Sequence, residues 1–559
     1  MLKGHPKGLL VAFFANMGER FGFYTMMAIL VLFLQAKFGL SGTNAGWIYS
    51  TFYAAIYLLS VVGGIMADRF IGMGKTITLG ILIMGGGYLL VAIPGLGLIP
   101  VCIGLFTIAL GNGLFKGNLQ AVVGNLYEDK KYAHLRDSAF SLFYMGINIG
   151  ALFAPTAALE IKDYILKTQG YLSDNALPKL CHTLIDGGSV DTATFTEMAN
   201  KATIAAEPVT DLTQFANDYI NAFSTGYNYA FGFAAVMMAI SLVVYFAFNK
   251  YLKPGFEAFS TDNSDGHAVP ELSKAEVKER LIALGLVFGV CIFFWMSFHQ
   301  NGLTLTFFAR DYTATSAAAN TYFWFDIWIL LPFFGAAVGA YMIVNFLKNH
   351  TPAKDLLLGT ALLAGLGYLG YYQYMRLAPT NAVSPETFLH LNPFFIVSLT
   401  PVVVGIFAAL NKRNMEPSAP RKIGYGMIIT AVGFAILLAA SLNLDSPATL
   451  NQVAAPEEMR VTPYWMISVY FTLTIAELFL SPMGISFVSK VAPPNMKGTM
   501  QAGWLCATAA GNALLGIGSF LWERIELYYL WAFFIVCCIL SAIFIFSVMK
   551  RLERVTKNA

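Results

Sequence analysis

The sequence predicts an all-α membrane protein, and three observations carry that prediction. Of 559 residues, 57% are hydrophobic, only 12% are charged, and the mean hydropathy is +0.62, far from the balance of a soluble globular chain. A helix needs roughly 20 apolar residues to cross the hydrocarbon core, and about fourteen stretches reach that length. They lie near 8–36, 44–67, 74–93, 98–126, 137–160, 224–248, 280–309, 320–346, 354–377, 387–411, 421–443, 463–489, 498–522 and 527–549.

Between Phe13 and Phe33 the otherwise apolar first stretch carries Asn16, Glu19, Arg20 and Tyr24. It is too long for a signal-peptide core and no small-residue cleavage site follows it, so it is expected to remain as the first helix. A charge at bilayer depth costs roughly 3 kcal/mol or more, so such groups normally face a water-filled cavity and mark a substrate or proton path. Positions 16, 20 and 24 share one helical face, with Glu19 one position round. A structural ion pair locking two helices is the alternative. The second and third stretches enclose a short turn, Gly63-Gly64-Ile65-Met66-Ala67-Asp68-Arg69, followed by Gly72, Gly74 and Lys75. No strand precedes it and the Walker spacing is absent, which argues against a phosphate loop. The fourth stretch carries Lys116 deep in its apolar run, and the fifth carries Asn148.

Between the fifth and sixth stretches, residues 161–223 hold eight acidic residues against four lysines, with little periodicity. They read as a small external cap. Residues 250–279, with Lys253-Pro254-Gly255 and a polar run from Ser260 to Asp265, read as a linker. It separates an N-terminal six-helix bundle, 1–249, from a C-terminal bundle, 280–559. The stretches at 320–346 and 354–377 then form an extra helix pair within the second half, expected to be peripheral and without chemistry.

Basic residues set the orientation. Lys3 and Lys7, Arg69 and Lys75, Lys130, Lys131 and Arg136, Lys412, Arg413, Arg421 and Lys422, and Lys550, Arg551, Arg554 and Lys557 all fall on one side. The positive-inside rule makes that side cytoplasmic, with both termini there. A net charge of +3 then reports orientation, and no nucleic-acid partner is expected. Of six cysteines, only Cys181 lies outside the predicted helices, which gives neither a disulfide framework nor metal-ligand spacing.

Two bundles of six helices resemble the major-facilitator fold, in which substrate binds near the midplane between halves that rock around it. The turn after the second stretch resembles the turn motif of that superfamily, carried by Gly64, Asp68, Arg69 and Lys75. There the glycines would allow close helix approach, and Asp68 and Arg69 would bond helix ends across the bundle interface. Further segments resemble the proton-coupled oligopeptide transporter family. Asn16-Met17-Gly18-Glu19-Arg20-Phe21-Gly22-Phe23-Tyr24 is similar to its ExxERFxYY motif. Gly111-Asn112-Gly113-Leu114-Phe115-Lys116-Gly117-Asn118 is similar to its lysine motif, and Phe143-Tyr144-Met145-Gly146-Ile147-Asn148-Ile149-Gly150 to its FYxxINxG signature. Phe294-Trp295 with Gln300, Leu391-Asn392-Pro393, Glu477-Leu478 with Ser481-Pro482, and Trp504 extend the match through the second half.

The resemblance implies a secondary active transporter importing di- and tripeptides by proton symport, with no enzymatic activity and no cofactor beyond the proton gradient. Its expected partners are small peptides, protons and the lipid bilayer, and its expected location is a bacterial inner membrane. Arg20 and Lys116 would hold the substrate carboxylate, the first in a bidentate fork and the second as a point charge. Glu477 would hold the amino terminus, and Asn148 and Asn392 the peptide amide. Tyr24, Tyr57, Trp295 and Trp504 would form adaptable walls. Proton coupling would fall to Glu19, Arg20, His299 and Glu477. Three positions depart from the pattern. Asn16 replaces the first glutamate of the motif, Met27 a common arginine, and His299 the glutamate before Gln300. Asn16 can still bond Arg20 but cannot titrate, whereas an imidazole titrates in the range a proton relay uses. A carrier of another small zwitterion or anion, or a peptide carrier with altered or absent coupling, is the alternative. A peptide receptor and an intramembrane enzyme are the other classes, the latter without a visible nucleophile and base or metal-ligand motif.

Overall fold

The computed structural model describes residues 4–128, 131–205, 207–257, 272–349, 352–450, 454–493 and 496–557, with all of their side chains except Ala133 and Asp137. Lys3, Lys130 and the Ser260–Asp265 run lie outside the described residues.

The first six long helices are α1 (Lys7–Phe38), α2 (Gly42–Met66), α3 (Met73–Ala92), α4 (Leu98–Asn125), α5 (Arg136–Thr168) and, after two short helices α6 (Leu177–Ile185) and α7 (Thr192–Ala202), α8 (Leu212–Phe248). A short helix α9 (Lys253–Glu257) precedes α10 (Lys274–Phe298), and α11 (Thr304–Asp311) continues it beyond a 3₁₀ turn at His299–Gly302. Then come α12 (Ala319–Tyr322), α13 (Ile327–Asn349) and α14 (Ala353–Tyr374), followed by a 3₁₀ segment Pro385–His390 and α15 (Leu391–Lys412). The chain ends with α16 (Ala419–Ser441), α17 (Tyr464–Val491), α18 (Lys497–Ala513), α19 (Leu515–Trp522), α20 (Leu527–Ser547) and α21 (Met549–Lys557). One antiparallel ribbon pairs β1 (Ser316–Ala318) with β2 (Thr380–Ala382), Ala317 opposite Asn381.

Among the described residues, thirteen segments are long and apolar enough to cross a membrane, one fewer than the fourteen expected. The missing one is α14, a 22-residue helix whose tyrosines, glycines and Gln373 dilute its hydropathy. It packs along α13. The expected cap also differs. Residues 161–168 continue α5, residues 212–223 begin α8, and α6 and α7 are the helices that lie between. Asp191 and Asp211 accept backbone N–H groups at the starts of α7 and α8, so part of the acidic excess read from sequence is N-capping. Cys181 is buried within α6, and all six cysteines are free.

Small residues bring the helices close. A Cβ on Gly63 would fall 2.2 Å from the Gly113 carbonyl oxygen, so α2 lies directly on α4 and orients the Lys116 face. Gly64, expected to serve that purpose, has open space where its side chain would be. Asp68, Arg69 and Lys75 are exposed and, among the described residues, make no hydrogen bond or ion pair. Their expected bridging of helix ends is absent because the two helix groups do not meet at that end.

They meet at the end that carries α6 and α7. There α2 packs on α18 and α19, and α5 packs on α15 and on 385–390. Arg310 donates to Gln35 (2.8 Å), Trp328 Nε1 donates to Glu160 (3.2 Å), and Lys162 Nζ donates to Glu386 (2.9 Å). At the other end, where α1 begins and α21 ends, Tyr144 and Met145 of α5 are exposed.

Candidate substrate cavity

The first-helix charges form a closed network. Glu19 and Arg20 are both buried and paired side by side, Arg20 Nε and Nη2 donating to the two Glu19 oxygens. Asn112 Nδ2 on α4 donates to Glu19 Oε1 at 2.6 Å, and the Arg20 guanidinium lies 4.8 Å from the centre of the Phe23 ring. Adjacent residues can pair this way because the helix turns their side chains by only about 100°. Burial removes water from the pair, so its cohesion rests on these bonds and on the aromatic face. The expected bond from Asn16 to Arg20 is absent. Asn16 Nδ2 is buried without a partner; an amide N–H and a guanidinium are both donors and cannot pair.

This divides the two cations assigned to one task. Arg20 is neutralised in place. Lys116, half-buried, makes no ion pair among the described residues and lies over the Tyr57 ring at 4.6 Å. Tyr57 thereby supplies a π-face that stabilises an ammonium without neutralising it. Tyr24 is half-buried next to Phe23 (5.3 Å, edge to face). Asn148, also half-buried, gives its amide to Tyr144 of its own helix at 3.2 Å, which leaves its carbonyl for other partners.

In the other group of helices Glu477 is half-buried on α17. Asn392 Nδ2, at the start of α15, donates to Glu477 Oε2 and to Thr474 Oγ1, both at 3.0 Å. Leu391 begins the helix beyond the 3₁₀ segment, which brings Asn392 within reach of α17. Trp504 is buried on α18, edge-on to Phe288 at 6.3 Å.

His299 joins the two groups. It sits where α10 gives way to a 3₁₀ turn, a common site of functional irregularity, and its ring stacks on Trp295 (4.8 Å, 23°) while Tyr53 of α2 lies 4.5 Å away on the other group. Its Nδ1 is 2.6 Å from Asn512 Oδ1. Gln300 beside it is consumed structurally, donating to Met296 and Leu515 carbonyls (both 3.2 Å) and accepting from Thr304 (2.9 Å).

Sequence reasoning missed Asn112, Tyr53, Thr474 and Asn512. Asn112 stood inside the lysine motif, one turn before Lys116, and Asn512 was an isolated polar residue in an apolar stretch. Both positions carried the signal that marked Asn16. The pair Lys162 and Glu386 was also missed, since each fell near a predicted boundary.

A family model described as POT family matches residues 74–255 and 372–527. The chain is 26% identical over 535 residues to the peptide transporter YePEPT of Yersinia enterocolitica subsp. palearctica, covering 92% of this chain and 87% of that protein. It is 24% identical over 523 residues to a dipeptide and tripeptide permease A of Serratia proteamaculans, covering 91% and 82%. Among solved structures it is similar to the peptide transporter POT in complex with sulfate, with a TM-score of 0.66 at 22% identity over 99% of this chain and 96% of that one. It is also similar to a POT family transporter in complex with 5-aminolevulinic acid, with a TM-score of 0.66 at 20% identity over 99% and 98%. These likenesses extend over both helix groups.

Proposed function

We propose that this chain, which belongs to the POT family, is a secondary active transporter that imports di- and tripeptides by proton symport across a bacterial inner membrane. The observation that carries the reading is the placement of opposite charges on the two helix groups, Lys116 with no ion-pair partner among the described residues on one and Glu477 held by Asn392 on the other. A zwitterion with its carboxylate toward Lys116 and its ammonium toward Glu477 would bridge the groups, so binding and the rocking of the bundles would be linked. Names such as peptide transporter and dipeptide and tripeptide permease among the relatives support the substrate class.

Taking the basic end as cytoplasmic, the conformation is inward-facing, with the cap end shut. One proton moving down 100 mV supplies about 2.3 kcal/mol, enough for roughly fifty-fold accumulation. His299 and Glu477 are the candidate proton acceptors, while Glu19 is held by Arg20 and Asn112. That arrangement also favours a second reading, a peptide carrier with altered coupling. Uptake of labelled dialanine into proteoliposomes, with and without an imposed proton gradient, tests both. Accumulation that needs the gradient supports symport. Equilibration indifferent to the gradient supports the second reading, and no uptake of any small peptide refutes the substrate class.

A further inference from the structure

The His299 ring is clamped by three groups. Trp295 stacks on it from its own helix, Tyr53 faces it from α2, and Asn512 on α18 reaches its edge. Asn512 is fully buried. A Cβ on the preceding Gly511 would fall 2.6 Å from the Ile292 carbonyl oxygen and 2.9 Å from Trp295 Cβ, so α18 lies in direct contact with α10 where Asn512 emerges. The amide is therefore placed by backbone packing and has little freedom to follow the ring. Its Nδ2 is buried without a partner, so the bond to His299 is the side-chain hydrogen bond it makes among the described residues.

An amide carbonyl only accepts hydrogen bonds, and a neutral imidazole carries one N–H. At 2.6 Å from Asn512 Oδ1, Nδ1 must be the nitrogen that bears it. From this geometry we infer that Asn512 is the positioning residue that fixes His299 in its Nδ1–H tautomer, leaving Nε2 as the only ring atom able to take up a proton.

The surroundings define how that proton is held. Lys116 from α4 acts on the ring as a like charge. On α1 Glu19 and Arg20 neutralise each other, α2 presents Tyr53 with Tyr49 beside it, and Glu477 on α17 is held by Asn392. The charged ends of α10, Glu276 and Glu279, lie in its first turns, and Asp311 at the end of α11 is paired with Arg310. No carboxylate occurs on α18, α19 or α20. An imidazolium here is stabilised by the Trp295 and Tyr53 faces and by a neutral amide, with no carboxylate bonded to it.

Two readouts test this without any peptide. The first is ¹⁵N spectroscopy of histidine-labelled protein in lipid nanodiscs, with the His299 signal assigned by its loss in His299→Gln. The expected signature at neutral pH is a protonated Nδ1 and a bare Nε2, and the reverse tautomer overturns the inference. The second uses Trp295, since an imidazolium stacked on an indole quenches its fluorescence. A quench on acidification is expected, absent in Trp295→Phe and in His299→Gln. Asn512→Asp places a carboxylate at the same atom and should raise the midpoint by about one to three pH units, while Asn512→Gln should not. An unmoved midpoint in Asn512→Asp overturns the inference. For transport the inference rests on the symport reading above. Absence of peptide uptake with the tautomer intact would refute that reading alone, whereas normal uptake with the reverse tautomer would refute only the role of Asn512.

Discussion

Glu386→Gln tests what holds the cap end shut. Lys162 on α5 and Glu386 before α15 form an ion pair across the two helix groups, with Nζ to Oε1 at 2.9 Å and both side chains fully buried. The Lys162 ammonium also lies 5.1 Å from the Phe223 ring centre and 5.2 Å from that of Tyr227, whose hydroxyl donates to the same Oε1 at 3.1 Å. Any motion that opens the cap end must part this pair. Removing one partner of a buried pair costs about 3–5 kcal/mol, because the remaining charge is left uncompensated. Here Asp163, whose side chain is about one-third exposed and whose Oδ1 lies 3.8 Å from Nζ, offsets part of that, so about 3 kcal/mol is expected. The cost falls on the closed state, since opening hydrates Lys162. At about 1.36 kcal/mol per decade the balance should move roughly a hundredfold toward opening. Spin labels at Gln169→Cys and Glu458→Cys in a cysteine-free background, read by pulsed electron resonance, should show a longer-distance population appear in Glu386→Gln. Lys162→Met with Glu386→Leu, which removes both charges, should restore most of the short-distance population. An unchanged distance distribution in Glu386→Gln, with unaltered thermal stability, would refute the latch.

Three further outcomes are expected. Lys116→Ala and Glu477→Gln should each abolish dialanine accumulation while expression and folding persist; acetylating the peptide amino terminus should weaken binding in the parent and much less in Glu477→Gln, and an equal loss in both would remove Glu477 from that role. Gly484→Ala should destabilise the protein by about 1–3 kcal/mol, as overpacking does, because its Cβ would fall 1.9 Å from the Trp504 ring; a thermal unfolding midpoint equal to the parent's would contradict this. Lys179 of α6, outside the membrane spans, has its ammonium pushed down to about 8 by burial and by Arg310 alongside. Between that value and its ordinary 10.5 the unfolded chain binds the extra proton, so stability should rise with pH across that window, by at most about 3 kcal/mol. Lys179→Met should flatten the rise in thermal midpoint, and a profile the same in both proteins would be the contrary result.

The sequence by itself determined the membrane class, nearly every helix and the order of the two helix groups. Apolar length and the punctuation of Gly, Pro and charge are local properties, and a helix satisfies its own backbone bonds in lipid whatever its neighbours do. It also marked Lys116, Glu477 and His299, since a polar side chain inside an apolar run is visible without its partner. Less legible was α14, whose tyrosines and glycines blur apolar length, and α6 and α7, whose short helices need the α8 surface to hold them.

Tertiary structure alone decided which polar groups share a partner. Arg20 and Lys116 looked equivalent as cations, yet Glu19 neutralises the first while the second makes no ion pair among the described residues and lies over Tyr57. Asp68 and Arg69 read as a bridge, but the conformation separates the surfaces they would join. Lys162 meets Glu386 across 224 residues and His299 meets Asn512 across 213. Helical periodicity orders neighbours three and four positions apart, and carries no information on contacts made when two separate bundles close on each other.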